Sequence, residues 1–413
     1  MSFLVVSCVY YPEPVVSAMT SSQVADGLAL AGHKATVVTS FPSRPGGRLY
    51  AGYRRRFLRE EDASSGLKII RCFSTLSSES RITSRLLDNL SFGLTSGWQV
   101  LTMGRPGVMY ANTWPIVAMG ILVLVAKIRR VPLVISVQDM YPESLIEQRR
   151  IKDNAAIAQM LRWIDGVIAR SATHVIVISE RFAKAYLGHR RVNPDRLSVI
   201  SNWIDSGQIE MCVSGREFRQ RLGIRDDVFL VVYGGNIGVA SGVQTLIEAF
   251  GILQDCPNVK LLIAGSGSQL GACRKLAKEI PGERILFHSP WAAGETSEVL
   301  RAADLLALPT QGRQSTASVP SKLLSYMLAG RPVLASGVTE SDLAEIVADG
   351  NCGWVVQPDR PDLLAKQVEA IMRINPSERQ KIGENGRKYV LAHFSKDVCL
   401  PKVIDVIKCA ARH

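Results

Sequence analysis

The sequence predicts an α/β chain of two doubly wound parallel-sheet domains with a cleft between them. Three observations predict it. Short apolar runs alternate with helical spacings over the first two hundred residues, and the alternation restarts after a polar stretch at Ser206–Arg225. The chain is 413 residues long, 47% hydrophobic and 21% charged, which suffices for two cores. No apolar run is long enough to cross a bilayer.

In chain order, Phe3–Val9 is a buried strand. Ser21–Leu30 has helical spacing, Gly32-His33 closes that helix, and Ala35–Thr39 is the next strand. Strands follow at Leu67–Cys72, Gly107–Tyr110, Val131–Val137, His174–Ile178 and Leu197–Ile200, with a helix at Gly120–Ile128. The run Pro115–Ala126 reads as a buried core helix. Ser206–Arg225 reads as the connector. The second series runs through strands Val228–Tyr233, Lys260–Ala264, Ile285–His288, Leu305–Leu308, Val333–Ala335 and Gly353–Val356. Helices are expected at Val243–Phe250, up to Lys278, at Thr296–Ala302 and at Lys322–Ala329. Two final helices, Glu378–Ala392 and Lys396–Ala411, form a tail. The expected domains are 1–205 and 206–392, with the helix at 393–413 packing back on the first.

The net charge of +12 is uneven. Residues 1–200 carry 25 Lys/Arg against 14 Asp/Glu, and residues 201–413 carry 24 against 23. The excess gathers at Arg54–Arg56 and Arg59, at Arg81 and Arg85, at Lys127, Arg129 and Arg130, at Arg149, Arg150 and Lys152, and at Arg190 and Arg191. Such a half attracts a polyanion or presents a solvated basic surface. No RNA- or DNA-reading motif is present, so anionic lipid is the expected partner rather than nucleic acid. The N-terminus lacks the charged segment and cleavage site of a signal peptide and reads as a strand, so the expected compartment is the cytoplasm. Eight cysteines without C-x-x-C spacing and six scattered histidines predict neither disulfides nor a protein-built metal site.

Four segments carry chemistry. Tyr233–Gly238 (YGGNIG) and Ala264–Gly267 (AGSG) are glycine turns between a strand and a helix, where backbone amides can approach a phosphate. Each also fits an ordinary strand–helix turn. Pro309–Lys322 is a polar loop ending at a helix start, where Ser321 and Lys322 would suit a diphosphate; it also fits a solvated loop with Lys322 pairing a local carboxylate. Val137–Glu143 places Asp139 and Glu143 at a strand's carboxyl end, able to hold sugar hydroxyls or act as a base. The alternative is helix capping by Asp139 or Ser144.

Together these segments resemble family 4 of the retaining nucleotide-sugar glycosyltransferases, which have the GT-B fold of two Rossmann-like domains. The resemblance runs through YYPEP, GHKATVVTS, VQDMYPES, SNWID, YGGNIG, LIAGSG, Ala303-Asp304 and PSKLLSYMLAGRPVLAS, in the family's order. The PSK form is most similar to bacterial O-antigen and capsule enzymes of the fucosaminyltransferase-like branch. The chain departs from the family at several positions. Ser325 and a position near Ala317 replace the E-x(7)-E glutamates. Asn236 and Ser241 stand where Arg and Lys are common. Ser17-Ala18 stands for Gly-Gly, and Gln138 for a His.

The resemblance implies retaining transfer of a sugar, a UDP-N-acetylated sugar by preference, to a polyprenyl-diphosphate-linked saccharide at the inner face of the cytoplasmic membrane. It implies no metal and no cofactor. The implied catalytic residues are Asp139, Glu143 and Lys322. The implied donor-binding residues are Gly235, Asn236, Gly238, Gly265, Gly267, His288, Arg313, Ser321, Lys322, Ser325 and Glu340, with Arg313 and Lys322 supplying the positive charge. Tyr11, Pro12, Ser17 and Asp139 are implied for the acceptor. A UDP-sugar 2-epimerase and a non-catalytic subunit of a polysaccharide assembly complex are the alternatives.

Overall fold

The computed structural model describes every residue except 45, 64–65, 77–81, 113–115, 148–150, 212, 313–319 and 413. The chain folds as two units, Met1–Asn202 with Cys399–His413, and Trp203–Val398. The first holds strands β1 (Ser2–Ser7), β2 (Lys34–Ser40), β3 (Leu58–Ala63), β4 (Leu67–Cys72), β5 (Val108–Asn112), β6 (Leu133–Val137), β7 (His174–Val177) and β8 (Leu197–Val199). Its helices are α1 (Val16–Leu30), α2 (Ile82–Thr102), α3 (Ile116–Arg129), α4 (Glu143–Glu147), α5 (Ala156–Ser171) and α6 (Glu180–Gly188). The second holds α7 (Gly215–Arg221), β9 (Phe229–Gly234), α8 (Val243–Ile252), β10 (Val259–Ala264), α9 (Leu270–Lys278), β11 (Ile285–His288), α10 (Thr296–Arg301), β12 (Leu305–Leu308), α11 (Ser321–Leu328), β13 (Val333–Ser336), α12 (Asp342–Asp349), β14 (Gly353–Val356), α13 (Pro361–Met372) and α14 (Pro376–His393). Helix α15 (Lys396–Ala410) starts in the second unit and belongs to the first from Cys399 onward.

The first sheet has the order β3-β4-β2-β1-β5-β6-β7-β8, all parallel except the antiparallel pair β3–β4. Every residue of β5 and β6 is buried, as expected where helices cover both faces of a parallel sheet. Helices α2, α3 and α5 share one core with Leu4, Met109, Ile135 and Val175, so they lie on one face of the sheet. Gly27 of α1 faces Leu400 and Ile404 of α15 within this unit. The second sheet has the order β11-β10-β9-β12-β13-β14, all parallel.

Several local expectations are corrected. Helix α1 starts five residues before Ser21, and the hydroxyls of Thr20, Ser21 and Ser22 are accommodated inside it by bonds to the carbonyls of Val16, Ser17 and Ala18. Ser206–Arg225 is more than a connector. It contains α7, whose Phe218 is buried in the second core and whose Arg219 reaches the Ala302 carbonyl at 2.7 Å and Asp304 at 2.5 Å. Helix α3 is core on one side only, since Leu124 and Ile128 are exposed. Arg190 is not surface charge. It is 1% exposed and ion-paired.

Candidate functional site

In the second sheet the strand sequence reverses direction between β9 and β12, and loops at the carboxyl ends of these two strands border a crevice. The loops touch there. The Gln311 amide bonds the Ala240 carbonyl at 3.4 Å, and a Cβ on Gly242 would come within 3.1 Å of the Thr310 backbone. Gly242 (φ 62°) starts α8 without a side-chain cap, which leaves the first amides of the helix without intrahelical acceptors. Gly238, Ser241, Gln244, Gln269 and Gln311 line a pocket of about 80 Å³ at this point.

Lys322 reaches this turn from the first turn of α11. Its Nζ donates to the Tyr233 hydroxyl and, at 3.2 Å, to the Asn236 carbonyl, and it lies 4.6 Å from the centroid of the Tyr233 ring. The Tyr233 hydroxyl also donates to the Asn236 carbonyl at 2.6 Å. Tyr326, one turn further along α11, accepts from the Gly234 amide at 2.8 Å and donates to its carbonyl at 3.0 Å. Burial of the amine pulls the Lys322 pKa down to about 8. Burial is the cause of this shift, and the contacts of the ammonium among the described residues, the Tyr233 hydroxyl and the Asn236 carbonyl, are uncharged. A side chain at Gly235 (φ 142°) would strike the Lys322 Cε.

The two glycine turns are interleaved, and this corrects one reading of them. The Gly235 amide bonds the Ala264 carbonyl at 2.9 Å, that of Ile237 the Ser266 carbonyl at 2.8 Å, and that of Gly265 the His288 carbonyl at 3.0 Å. The amides of Gly235 and Gly265 are therefore committed to the sheet's continuation. A Cβ on Gly265 or Gly267 would collide with the Gly235 or Ile237 carbonyl, so these glycines permit backbone to pack on backbone. His288 ends β11; its ring lies edge-on to Phe218 at 5.3 Å, and Nε2 is 3.0 Å from Glu295. That hydrogen bond holds the Glu295 carboxyl below its ordinary value. Ser321 is exposed at the start of α11, and the Ser325 hydroxyl, one turn on, bonds the Ser321 carbonyl at 3.3 Å. Glu340 is exposed in the turn after β13, at the same sheet end. Arg313 lies outside the described residues, as does Ala317.

In the first unit, Tyr11 is exposed after β1, Pro12 is half-buried beside it, and Ser17 lies in the first turn of α1. Glu13 anchors this loop. Its buried carboxylate accepts from the amides of Tyr10 (3.2 Å), Ser43 (2.9 Å) and Arg44 (2.8 Å). Asp139 is half-buried after β6 and lines a small cavity with Gln138, Tyr141, Asp165 and Tyr186.

Glu143 is occupied differently from the sequence expectation. Arg190 Nη2 meets it at 2.5 Å and Arg162 Nε at 3.1 Å, so the carboxylate is bound to two guanidinium groups rather than open to a sugar. Burial alone would raise its pKa, but the hydrogen bonds and charge of Arg190, with Arg162, bring it below the ordinary value. Arg190 also binds Asp165 at 3.0 Å and the Tyr141 carbonyl at 2.9 Å, and Tyr186 donates to Asp165 at 3.0 Å. Burial leaves Asp165 with a raised pKa in spite of Arg190. This cluster braces the loop that carries Asp139. Sequence reasoning missed Arg190, Asp165 and Glu13 as braces and Tyr233 as the platform for Lys322. The YGGN turn and the PSK segment were the signal for the last.

The family model for the glycosyl transferase 4-like domain matches residues 17–203, and that for glycosyl transferases group 1 matches residues 214–389. The two models match successive parts of the chain, so it carries a glycosyl transferase 4-like domain followed by a group 1 glycosyl transferase domain. It is 23% identical over 329 residues to the Pseudomonas aeruginosa protein named "Probable glycosyltransferase WbjE", spanning 79% of this chain and 80% of that one. It is 25% identical over 235 residues to the Salmonella typhimurium lipopolysaccharide 1,2-N-acetylglucosaminetransferase, spanning 53% of this chain and 58% of that one. The structure of Anabaena HepE in complex with UDP superposes with a TM-score of 0.71 at 16% identity, over 99% of this chain and all of that one. These likenesses establish a GT-B glycosyltransferase. Among the described residues no group of three His, Cys, Asp or Glu could hold a metal ion.

Proposed function

We propose that the protein transfers a sugar, with retention, from a UDP-N-acetylated sugar to a polyprenyl-diphosphate-linked saccharide during cell-surface polysaccharide assembly. The observation that carries the reading is the half-buried Lys322 ammonium over the β9 turn at the crevice, whose contacts among the described residues are the uncharged Tyr233 hydroxyl and Asn236 carbonyl. A cation so placed is stabilised by an incoming diphosphate, and the first amides of α8 and α11 add donors of the same polarity. The UDP held by the structurally similar Anabaena protein and the N-acetylglucosamine in the name of the Salmonella relative support the choice of donor.

In the proposed step, the bond from the sugar's anomeric carbon to the β-phosphate oxygen breaks. The acceptor oxygen bonds that carbon on the same face, and its proton passes to the departing phosphate. Lys322 stabilises the charge that develops on the diphosphate. Asp139 orients the acceptor, with Tyr11, Pro12 and Ser17 beside the first unit's sheet end. Glu143 acts through the loop that it braces. Glu340 and Arg313 contact the donor, no metal is needed, and the protein works peripherally at the inner face of the cytoplasmic membrane.

The test is transfer from radiolabelled UDP-N-acetyl sugars to polyprenyl-diphosphate saccharides in EDTA. Product that keeps the donor's anomeric configuration is the expected result. Conversion of the donor without acceptor would instead select the epimerase. Folded protein that binds no nucleotide would select the non-catalytic subunit.

A further inference from the structure

The first unit carries an apolar surface that its fold does not use. On α2, Leu87, Leu90, Leu94 and Trp98 recur at helical spacing and all point to solvent, with Leu87 57%, Leu94 56% and Trp98 58% exposed. Leu124 and Ile128 continue the surface on α3, and Met160 and Trp163 (66% exposed) on α5. The three helices cover the same sheet face, with α3 packed against both α2 and α5. The opposite side of α2 explains why its apolar residues point outward. Gly93 and Gly97 turn toward α3, where a Cβ on either would come within 2.9 Å of Ala118 or Ile121. Small residues at this spacing bring two helices into close contact, and the bulky residues are left on the outside.

We propose that this α2–α3–α5 face docks on an anionic lipid bilayer, lying in the plane of the headgroups. The inference rests on the membrane placement proposed above and assigns it to a defined surface. Charge selects the occupant. Arg105, Lys127, Arg130 and Arg170 are exposed at the carboxyl ends of these helices. Lys127 bridges α3 to Ser171 at the end of α5 (3.0 Å), and Arg105 bonds the Arg130 carbonyl, so the basic groups join the helices at one end. The carboxylates of the three helices are engaged elsewhere. Asp88 accepts from Thr75 at 2.6 Å, and Asp165 is held by Arg190 and Tyr186. A second copy of this face would bring like charges together, whereas anionic headgroups neutralise them. Exposed tryptophans beside basic groups suit the headgroup boundary. No helix among the described residues is long and apolar enough to cross a membrane, and α2 at roughly 31 Å fits along the surface.

The experiment is flotation of the full chain with phosphatidylcholine vesicles containing phosphatidylglycerol, read together with tryptophan fluorescence. Wild type is expected to float and to shift its emission to the blue. The combined variant Leu90→Glu, Leu94→Glu, Trp98→Glu should bind at least about tenfold more weakly, while Leu30→Glu, which adds charge at an exposed site on α1, should bind as wild type. Trp163→Glu on α5 supplies an independent reduction if the combined variant does not fold. Three results would overturn the proposal: no flotation of wild type, flotation of both face variants equal to that of wild type, or a solution dimer that Trp163→Glu dissociates. Stabilisation by UDP is measured alongside. Lost flotation with an intact UDP response removes this inference alone, and intact flotation with no UDP response removes the nucleotide-sugar reading alone.

Discussion

Replacing Lys322 by Met should separate the site's function from its stability. The ammonium is desolvated enough to bring its pKa from 10.5 to about 8. At 1.36 kcal/mol per unit, keeping it charged costs the folded state about 3 kcal/mol at neutral pH. The sign follows from proton binding. Between pH 8 and 10.5 the unfolded chain holds a proton that the folded chain has released, so wild-type stability rises with pH across that window. The Met variant lacks this rise and at pH 7 should be as stable as wild type or more so. A charge-assisted hydrogen bond to a diphosphate contributes about 1.5–3 kcal/mol, so UDP should bind the variant about 10- to 150-fold more weakly. Wild-type affinity for UDP should itself fall above pH 8, by up to about tenfold per unit, because the free amine must take up a proton on binding. Urea denaturation across pH and calorimetric titration with UDP read both effects. A destabilised variant with UDP affinity within about twofold of wild type would instead make Lys322 a structural brace.

Three further outcomes are expected. Gly265→Ala forces a Cβ into the Gly235 carbonyl at φ 143° and should cost about 3 kcal/mol or more in urea denaturation. Arg190→Met leaves Glu143 and Asp165 without their shared partner and should destabilise the first unit by about 3–5 kcal/mol, seen as a lower denaturation midpoint. Asp139→Asn should leave the UDP-induced thermal shift intact while lowering sugar transfer about 100-fold or more; unchanged turnover would remove Asp139 from the acceptor site.

Both sheets were legible because their strands are continuous apolar runs with turn residues after them. VFLVVYGG and KLLIAGSG announce β9 and β10 together with the turns they feed. Helix α2 was not legible. Its glycines, serines and threonines have low helix propensity, and the helix gains its place from close packing of Gly93 and Gly97 on α3, which involves residues over twenty positions away. Strand β3 (LREEDA) was missed because a charged edge strand has no apolar pattern. Glu60 pairs with Lys68 at 2.7 Å, and Glu61 with the buried Arg71 at 3.1 Å. At the site, Lys322 and the β9 turn could be read as one constellation because a cation at a helix start and a glycine turn share a chemistry. Arg190 could not be read, since nothing local distinguishes it from the exposed Arg191. Its burial depends on Glu143 and Asp165, brought together by three separate loops and helices.

Binding of a nucleotide-sugar at the β9–β12 crevice underlies the proposed transfer. The most direct measurement is a thermal-shift titration of the full chain with UDP, GDP and ADP in EDTA. A nucleotide present at 100 times its dissociation constant stabilises the folded state by about 2.7 kcal/mol, a shift of several degrees. That shift is expected with UDP, and a much smaller one with GDP and ADP. Stabilisation by none of the three would contradict it.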